Sequence, residues 1–202
     1  MTFSVIIDSC AWNYLFAHHV DLAEVFPRDE YTLFVTREVE IEILATPDVG
    51  KDGEDKRPLK SYVANNIETH SVRTSSVFGF ASVEPDGSLS KVQVYGGFGQ
   101  GTWQSENDRR WYNSCEIKSL LHGKARKKSG LSANQADASL AVRSFDSIVL
   151  TNECKEKNGP LRLAAEQGGR VVFLADVELS GLTLRDYVAR QCPQEKKAGV
   201  GL

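Results

Sequence analysis

The sequence contains few cysteines, and they lie far from one another. The 202 residues include four, Cys10, Cys115, Cys154 and Cys192, and no two of them form a Cys-x-x-Cys pair. This spacing is unlike that of a zinc site, and a chain of this length can bury a core without a disulfide framework. We therefore expect reduced thiols and a cytoplasmic protein.

Long apolar runs and an excess of basic residues are also missing. No apolar stretch approaches the roughly 18 residues that a transmembrane helix requires, so we expect no membrane association. The first residues carry no basic region before their short apolar stretch, so no signal peptide is expected. The net charge of −3 argues against a protein that binds nucleic acid by bulk attraction alone. Binding to nucleic acid through a local basic patch, or through a metal ion that makes the local charge positive, is still compatible with this net charge.

Short apolar strands alternate with amphipathic helices along most of the chain. Strands are predicted at 3–7, 31–35, 69–74, 147–151 and 171–174, and helices at 10–26, 37–45, 58–68, 108–128, 132–143, 160–167 and 183–191. This order predicts an α/β fold in which helices cover both faces of a central parallel sheet, as three α/β/α layers. We expect residues 1–202 to form a single domain.

Residues 76–107 interrupt this alternation. Two β-rich runs, 76–83 and 90–95, flank a turn sequence at 84–88, and a glycine-rich stretch follows. The pattern predicts a β-hairpin insertion. Because a hairpin alone is only marginally stable, we expect it to pack on the domain, on a second subunit or on a partner. A homodimer is therefore one of the alternatives that the sequence leaves open.

Acidic residues follow three of the predicted strands, and another lies at the start of a predicted helix. Asp8 ends the first strand, Glu42 lies on the helix after the second, Asp137 lies early in a capped helix, and Glu153 follows the fourth strand. The carboxyl ends of strands form the working crevice of open α/β sheets. Clustered carboxylates repel each other unless a cation neutralises them, and Mg²⁺ and Mn²⁺ suit sites made of oxygen atoms. The pattern favours a site for one of these ions.

The segments that carry these acids resemble the PIN-domain family. Val5-Ile-Ile-Asp-Ser-Cys-Ala-Trp-Asn-Tyr-Leu15 is similar to the opening of a PIN domain, and the segments 34–44, 131–141 and 148–153 are similar to its second, third and fourth motifs. The resemblance covers residues 1–75 and 108–175. The sequence departs from the family at Glu153, where aspartate is usual, and in the insertion, which compact members lack.

This resemblance implies a PIN-like fold and a metal-dependent endoribonuclease that uses Mg²⁺ or Mn²⁺. Asp8, Glu42 and Asp137 would be metal ligands and catalytic residues, and Glu153 the fourth acidic member, directly or through water. RNA would be the substrate. Many family members are toxins of toxin–antitoxin pairs, so the resemblance also implies a protein antitoxin as a partner.

Candidate substrate-binding residues accompany the acids. A basic run near Asp137 offers phosphate contacts, and the segment after the fourth strand offers polar groups that could orient water or phosphate. These candidates are Lys124, Arg126, Lys127, Lys128, Thr151 and Asn152. Each also has a simpler interpretation, because basic residues are favoured at a helix C-terminus and polar residues in turns.

Simpler interpretations exist for the acids too. Asp8 could merely cap the following helix, Glu42 competes with Glu38 and Glu40, and an acid such as Asp137 is favoured in the first turn of any helix. A PIN-like scaffold made inactive by Glu153 is one alternative function. A metal-dependent phosphatase is another, but the Asp-x-Asp pair of haloacid-dehalogenase phosphatases is missing because residue 10 is cysteine.

Overall fold

A five-stranded parallel sheet forms the centre of the molecule. The computed structural model describes residues 2–78, 94–96, 103–122 and 127–192. The strands are β1 (Phe3–Ile7), β2 (Tyr31–Thr36), β3 (Arg73–Ser75), β4 (Val77–Phe78), β5 (Tyr95–Gly96), β6 (Ile148–Thr151) and β7 (Val171–Phe173). The central sheet has the order β3-β2-β1-β6-β7, and every neighbouring pair is parallel. The predicted parallel sheet is confirmed.

Helices flank this sheet, as predicted for three α/β/α layers. They are α1 (Ser9–Ala17), α2 (Leu22–Val25), α3 (Arg37–Leu44), α4 (Arg57–Thr69), α5 (Glu106–Tyr112), α6 (Cys115–Leu121), α7 (Gln135–Arg143), α8 (Pro160–Glu166), α9 (Leu174–Ser180) and α10 (Leu184–Gln191).

Some predicted helices are divided or shifted in the structure. The helix predicted at 10–26 is two helices, because His19 takes a left-handed backbone conformation with φ 51° after the first. The helix predicted at 108–128 ends at Tyr112, and Ser114 begins a second one by accepting a hydrogen bond from Ile117 N. The helix predicted from residue 132 begins at Gln135, and α9 was not predicted.

The strands β1 and β6, in the middle of the sheet, form the most buried part of the core. Val5, Ile7, Val149 and Leu150 have no solvent exposure, as expected for strands covered on both faces. A smaller apolar cluster joins α5 and α6 to α7, through Tyr112, Ile117, Leu121, Ala138 and Val142.

The sheet topology creates a crevice between β1 and β6. From β1 the chain builds outward through β2 and β3 on one side, and later through β6 and β7 on the other. Such a switch point opens a crevice at the carboxyl ends of the strands. Asp8 follows β1 and Thr151 ends β6, and Asp8 N donates to Leu150 O at 3.0 Å. These two residues therefore lie side by side at the crevice.

The described ends of the insertion do not pair as a hairpin would. Val77 aligns with Tyr95 and Phe78 with Gly96, and this pair of strands is parallel, whereas the two arms of a hairpin are antiparallel. The predicted turn at 84–88 lies outside the described residues. The hairpin prediction is therefore wrong for the two-residue strands at its ends and stays a prediction for the rest. Within the described part of the chain, no helix has the length and apolarity needed to cross a membrane.

Candidate active site

Asp8 is buried at the crevice, and two side chains donate hydrogen bonds to its carboxylate. Thr151 Oγ1 donates to its Oδ2 at 2.7 Å, Cys10 Sγ to the same oxygen at 3.0 Å, and Ser9 Oγ approaches Oδ1 at 3.3 Å. Asp8 occupies the N-cap position of α1, but its carboxylate makes no capping hydrogen bond. The structure therefore does not support a capping role for this side chain.

Ser9 links Asp8 to Glu42. Its hydroxyl donates to Glu42 Oε2 at 2.9 Å, and Lys127 Nζ binds the other oxygen, Oε1, at 2.6 Å. Thr36 begins α3 by accepting a hydrogen bond from Val39 N at 3.2 Å, and Glu42 follows along this helix. Its side chain is 14% exposed, so it lies at the rim of the crevice.

Asp137 and Glu153 form the other half of the site and share one lysine. Lys157 Nζ lies 3.7 Å from Asp137 Oδ2 and also forms an ion pair with Glu153 Oε1. The backbone of Glu153 is fixed because its N–H donates to Thr151 Oγ1 at 3.1 Å. The side chains of Asp137 and Glu153 are 12% and 13% exposed.

The two halves lie close enough for their charges to interact. Burial raises the pKa of Asp8, and the charges of Asp137 and Glu42 raise it further, against the hydrogen bonds from Cys10 and Thr151. Burial also raises the pKa of Asp137 to about 6, helped by the charge of Glu153 and opposed by Lys157 and Lys127. The four predicted acids therefore form one group at the carboxyl end of the sheet, which we call the carboxylate cluster.

In the structure, lysines balance the carboxylate cluster. Among the described residues, no three acidic, histidine or cysteine side chains are arranged so that they enclose a metal ion, and Lys127 and Lys157 instead pair with three of the four acids. The donors fit Mg²⁺ or Mn²⁺ in kind, because the four acids offer carboxylate oxygens at a partly buried crevice. Both lysines are about half exposed, so their ammonium groups can turn outward into solvent.

Glu38 and Glu40, the two competitors of Glu42, lie elsewhere. Glu38 is 1% exposed and accepts hydrogen bonds from Ser139 Oγ at 2.8 Å and from Val94 N at 3.0 Å. Glu40 pairs with Arg37 at 2.5 Å on the surface. Glu42 is therefore the acid of α3 that reaches the cluster, as predicted.

The predicted substrate-binding residues have different positions. Thr151 has no solvent exposure and its hydroxyl donates to Asp8, so it positions Asp8 and is not placed to contact a substrate. Asn152 is exposed, and its N–H donates to Cys10 Sγ at 3.2 Å. Lys127 pairs with Glu42, and Lys128 is exposed beside it. Lys124 and Arg126 lie outside the described residues.

Three residues of the site were not among the predicted ones: Ser9, Cys10 and Lys157. Ser9 and Cys10 directly follow Asp8. Their position in the first helical turn after a strand-end acid could have indicated that they belong to the site. Lys157 comes four residues after Glu153, but a turn and not a helix joins the two, so helical spacing gave no indication of the contact.

Comparisons of the chain with protein-family models, with curated proteins and with solved structures give no match. The α/β fold and the carboxylate cluster therefore rest on the structure of this chain alone, and the resemblance to PIN domains remains a prediction from its sequence segments.

Proposed function

We propose that this protein is a Mg²⁺- or Mn²⁺-dependent endoribonuclease that hydrolyses RNA phosphodiesters. The observation that supports this most is that Thr151 joins the two halves of the carboxylate cluster. Its hydroxyl donates to Asp8 Oδ2 at 2.7 Å and accepts from Glu153 N at 3.1 Å. Four acids contributed by separate segments meet at the switch point of a parallel sheet, where α/β proteins bind ligands. The choice of RNA comes from the resemblance to PIN domains, as does the suggestion of an antitoxin partner.

Asp8, Glu42, Asp137 and Glu153 would hold the cation. Bound there, the cation would supply an activated water and neutralise charge on the phosphodiester. Asp8 is kept in place by Thr151, and Glu42 by Ser9. Asp8 and Asp137 have to lose their protons before they can bind a cation, and burial raises the pKa of both, that of Asp137 to about 6.

Lys127 and Lys157 would have a second role in this enzyme. Both neutralise acids in the structure described here. Once a cation replaces them, their ammonium groups are free to pair with phosphate oxygens of the substrate. The same lysines would thus stabilise the metal-free fold and later contribute to substrate binding.

The test combines metal binding with cleavage. Wild-type protein should bind Mn²⁺ in calorimetry and cut a fluorescent single-stranded RNA when Mn²⁺ is present. Asp8→Asn should abolish cleavage and weaken Mn²⁺ binding about tenfold or more. Glu40→Gln is the matched control, since Glu40 lies on the surface of α3 and pairs with Arg37, and it should behave like wild type. Equal Mn²⁺ binding by wild type and Asp8→Asn would contradict the proposal.

One observation favours a second candidate, an inactive PIN-like binding protein. Lys127 and Lys157 already pair with three of the four acids without a metal, and a binding protein could keep these ion pairs permanently. Folded protein that binds RNA in EDTA but neither binds Mn²⁺ nor cleaves would support this candidate over the nuclease.

A further inference from the structure

A cleft of about 470 Å³ adjoins the carboxylate cluster. It lies between α1, α3, the α3–α4 connection and α4. Ser9, Cys10 and Glu42 line it and also belong to the site described above, so the cleft and the cluster are continuous. Its volume suits a group of the size of one nucleotide.

The floor of the cleft is apolar. Trp12, Ile43, Leu59 and Val63 contribute to it, and Trp12 and Val63 are almost fully buried. The indole nitrogen of Trp12 is also buried and has no hydrogen-bond partner among the described residues. Ile43 and Leu59 are partly exposed and form the accessible part of this floor, on which a flat, aromatic group can pack at little desolvation cost.

The rim of the cleft is basic, although the whole protein is acidic. Lys56, Lys60, Lys127 and Lys128 line it, against a single acidic lining residue, Glu42, while the net charge of the chain is −3. Lys56, Lys60 and Lys127 pair with Glu54, Asp48 and Glu42 through partly exposed ammonium groups. The carboxylates of Glu54 and Asp48 are more than half exposed, so the pairs of Lys56 and Lys60 are weak. The rim can therefore exchange these partners for phosphate groups.

We propose that this cleft binds one unstacked nucleotide of a single-stranded RNA, with the base on the apolar floor and the neighbouring phosphates on the lysine rim. The inference rests on the proposed function, because it takes RNA as the substrate and seats the strand beside the carboxylate cluster. A base inside a duplex stays stacked and paired and cannot enter such a cleft. The cleft thus selects single-stranded over double-stranded RNA.

Binding is measured in EDTA, so that the result does not depend on metal binding or cleavage. The probe is a fluorescein-labelled oligonucleotide of eight uridines, followed by fluorescence anisotropy. Ala45→Trp adds a bulky side chain at an exposed position that lines the cleft. It occupies space that the nucleotide would fill, so this steric block should weaken binding about fivefold or more. Leu44→Trp is the matched control, because Leu44 is the neighbouring residue, is 72% exposed and does not line the cleft. It should stay within about twofold of wild type.

Two further comparisons test the chemistry of the cleft. Lys128→Met should weaken binding about threefold, and Lys118→Met, an exposed lysine of α6 away from the cleft, should leave it unchanged. An abasic strand of the same length should bind less tightly than the uridine strand, and an RNA duplex less tightly than either. If Ala45→Trp does not fold, Pro47→Trp, which also lines the cleft, replaces it.

The outcomes separate this inference from the proposed function. No binding by wild type, equal binding by the Ala45→Trp and Leu44→Trp variants, or a duplex bound as tightly as the single strand would overturn the cleft proposal. Cleavage with Mn²⁺ under any of these outcomes would leave the nuclease standing. Conversely, cleft-dependent binding in EDTA without cleavage in Mn²⁺ would uphold the cleft and reject the nuclease.

Discussion

The hydroxyl of Thr151 donates a hydrogen bond of 2.7 Å to Oδ2 of Asp8, and neither residue is exposed by more than 3%. The contact joins the ends of β6 and β1, two neighbouring parallel strands. A buried carboxylate depends on such donors, because an unsatisfied acceptor in the interior carries its full desolvation cost. Thr151 therefore orients Asp8 and, together with Cys10, opposes the rise in the pKa of Asp8 that burial causes.

Thr151→Val keeps the shape of the side chain but removes this donor. We expect the variant to lose about 1–3 kcal/mol of unfolding free energy at pH 7.5, because the Asp8 carboxylate loses a hydrogen bond in a buried site. Urea denaturation measures this loss. Thr32→Val is the control, since Thr32 lies on β2 and its hydroxyl meets only Thr2 at the surface. Equal stability of the Thr151→Val and Thr32→Val variants would show that the contact does not support Asp8.

Lys157→Met tests whether this lysine competes with a metal for the carboxylate cluster. The substitution leaves Asp137 and Glu153 without their shared cation. We expect Mn²⁺ to bind about three- to tenfold more tightly by calorimetry, because no ion pair has to be broken first. We also expect the metal-free variant to unfold at a lower urea concentration.

Lys155→Met provides the matched control for that experiment. Lys155 is two residues away and pairs with Asp176 at 2.6 Å, outside the cluster. Its removal should leave Mn²⁺ affinity unchanged. Mn²⁺ affinity that falls in Lys157→Met would mean that the lysine assists metal binding and does not compete with it.

Asp137 should make the metal-free protein more stable at mildly acidic pH than at neutral pH. Burial and Glu153 raise its pKa from 3.8 to about 6, so the folded state holds a proton that the unfolded chain releases. The stabilisation is fully present below about pH 4 and is lost as the pH rises through about 6. At pH 7.5 Asp137→Asn should exceed wild type by up to about 3 kcal/mol.

Urea unfolding in EDTA at pH 7.5 and pH 5 measures this difference. The advantage of Asp137→Asn should shrink at pH 5, where wild type is largely protonated at this position. A difference that does not change with pH would show that Asp137 titrates normally. In wild type, Mn²⁺ affinity should fall as the pH drops below about 6, because protons then compete for Asp137.

Glu38 should matter for stability in a way that Glu40 does not. Burial lowers the pKa of Arg143, and the charge of Glu38 opposes this effect. Removing Glu38 takes away one of the charges that favour the Arg143 guanidinium, and it removes the acceptor of both Val94 N and Ser139 Oγ. We expect Glu38→Ala to cost about 1–3 kcal/mol in urea unfolding, because these hydrogen-bond donors lose their partner in a buried site.

Glu40→Ala, on the same helix, is the control for this change. Glu40 forms only a surface pair with Arg37, so the loss should stay below about 1 kcal/mol. Similar losses for both variants would mean that Glu38 is not the buried partner that the structure describes. The result also bears on the insertion, since Val94 belongs to it.

The sequence by itself determined the parallel sheet and the acids that its strand ends carry. Strands such as β1 and β6 are short, apolar and β-branched because both faces are covered, and this pattern is local. The position of Asp8 directly after β1 follows from the same pattern. The fold class could therefore be predicted, whereas the roles of the four acids as metal ligands and catalytic residues stay predictions.

Only the tertiary structure decided which lysines form ion pairs with those acids. Lys157 reaches Glu153 and Asp137 through a turn, and Lys127 reaches Glu42 across 85 residues of sequence, and neither contact has a periodic signal. Glu38 and Glu42 are one helical turn apart, yet one is buried beneath Val94 and Ser139 and the other meets Ser9. Which face of α3 meets which neighbour depends on packing between elements distant in sequence, and local propensity carries no information about it.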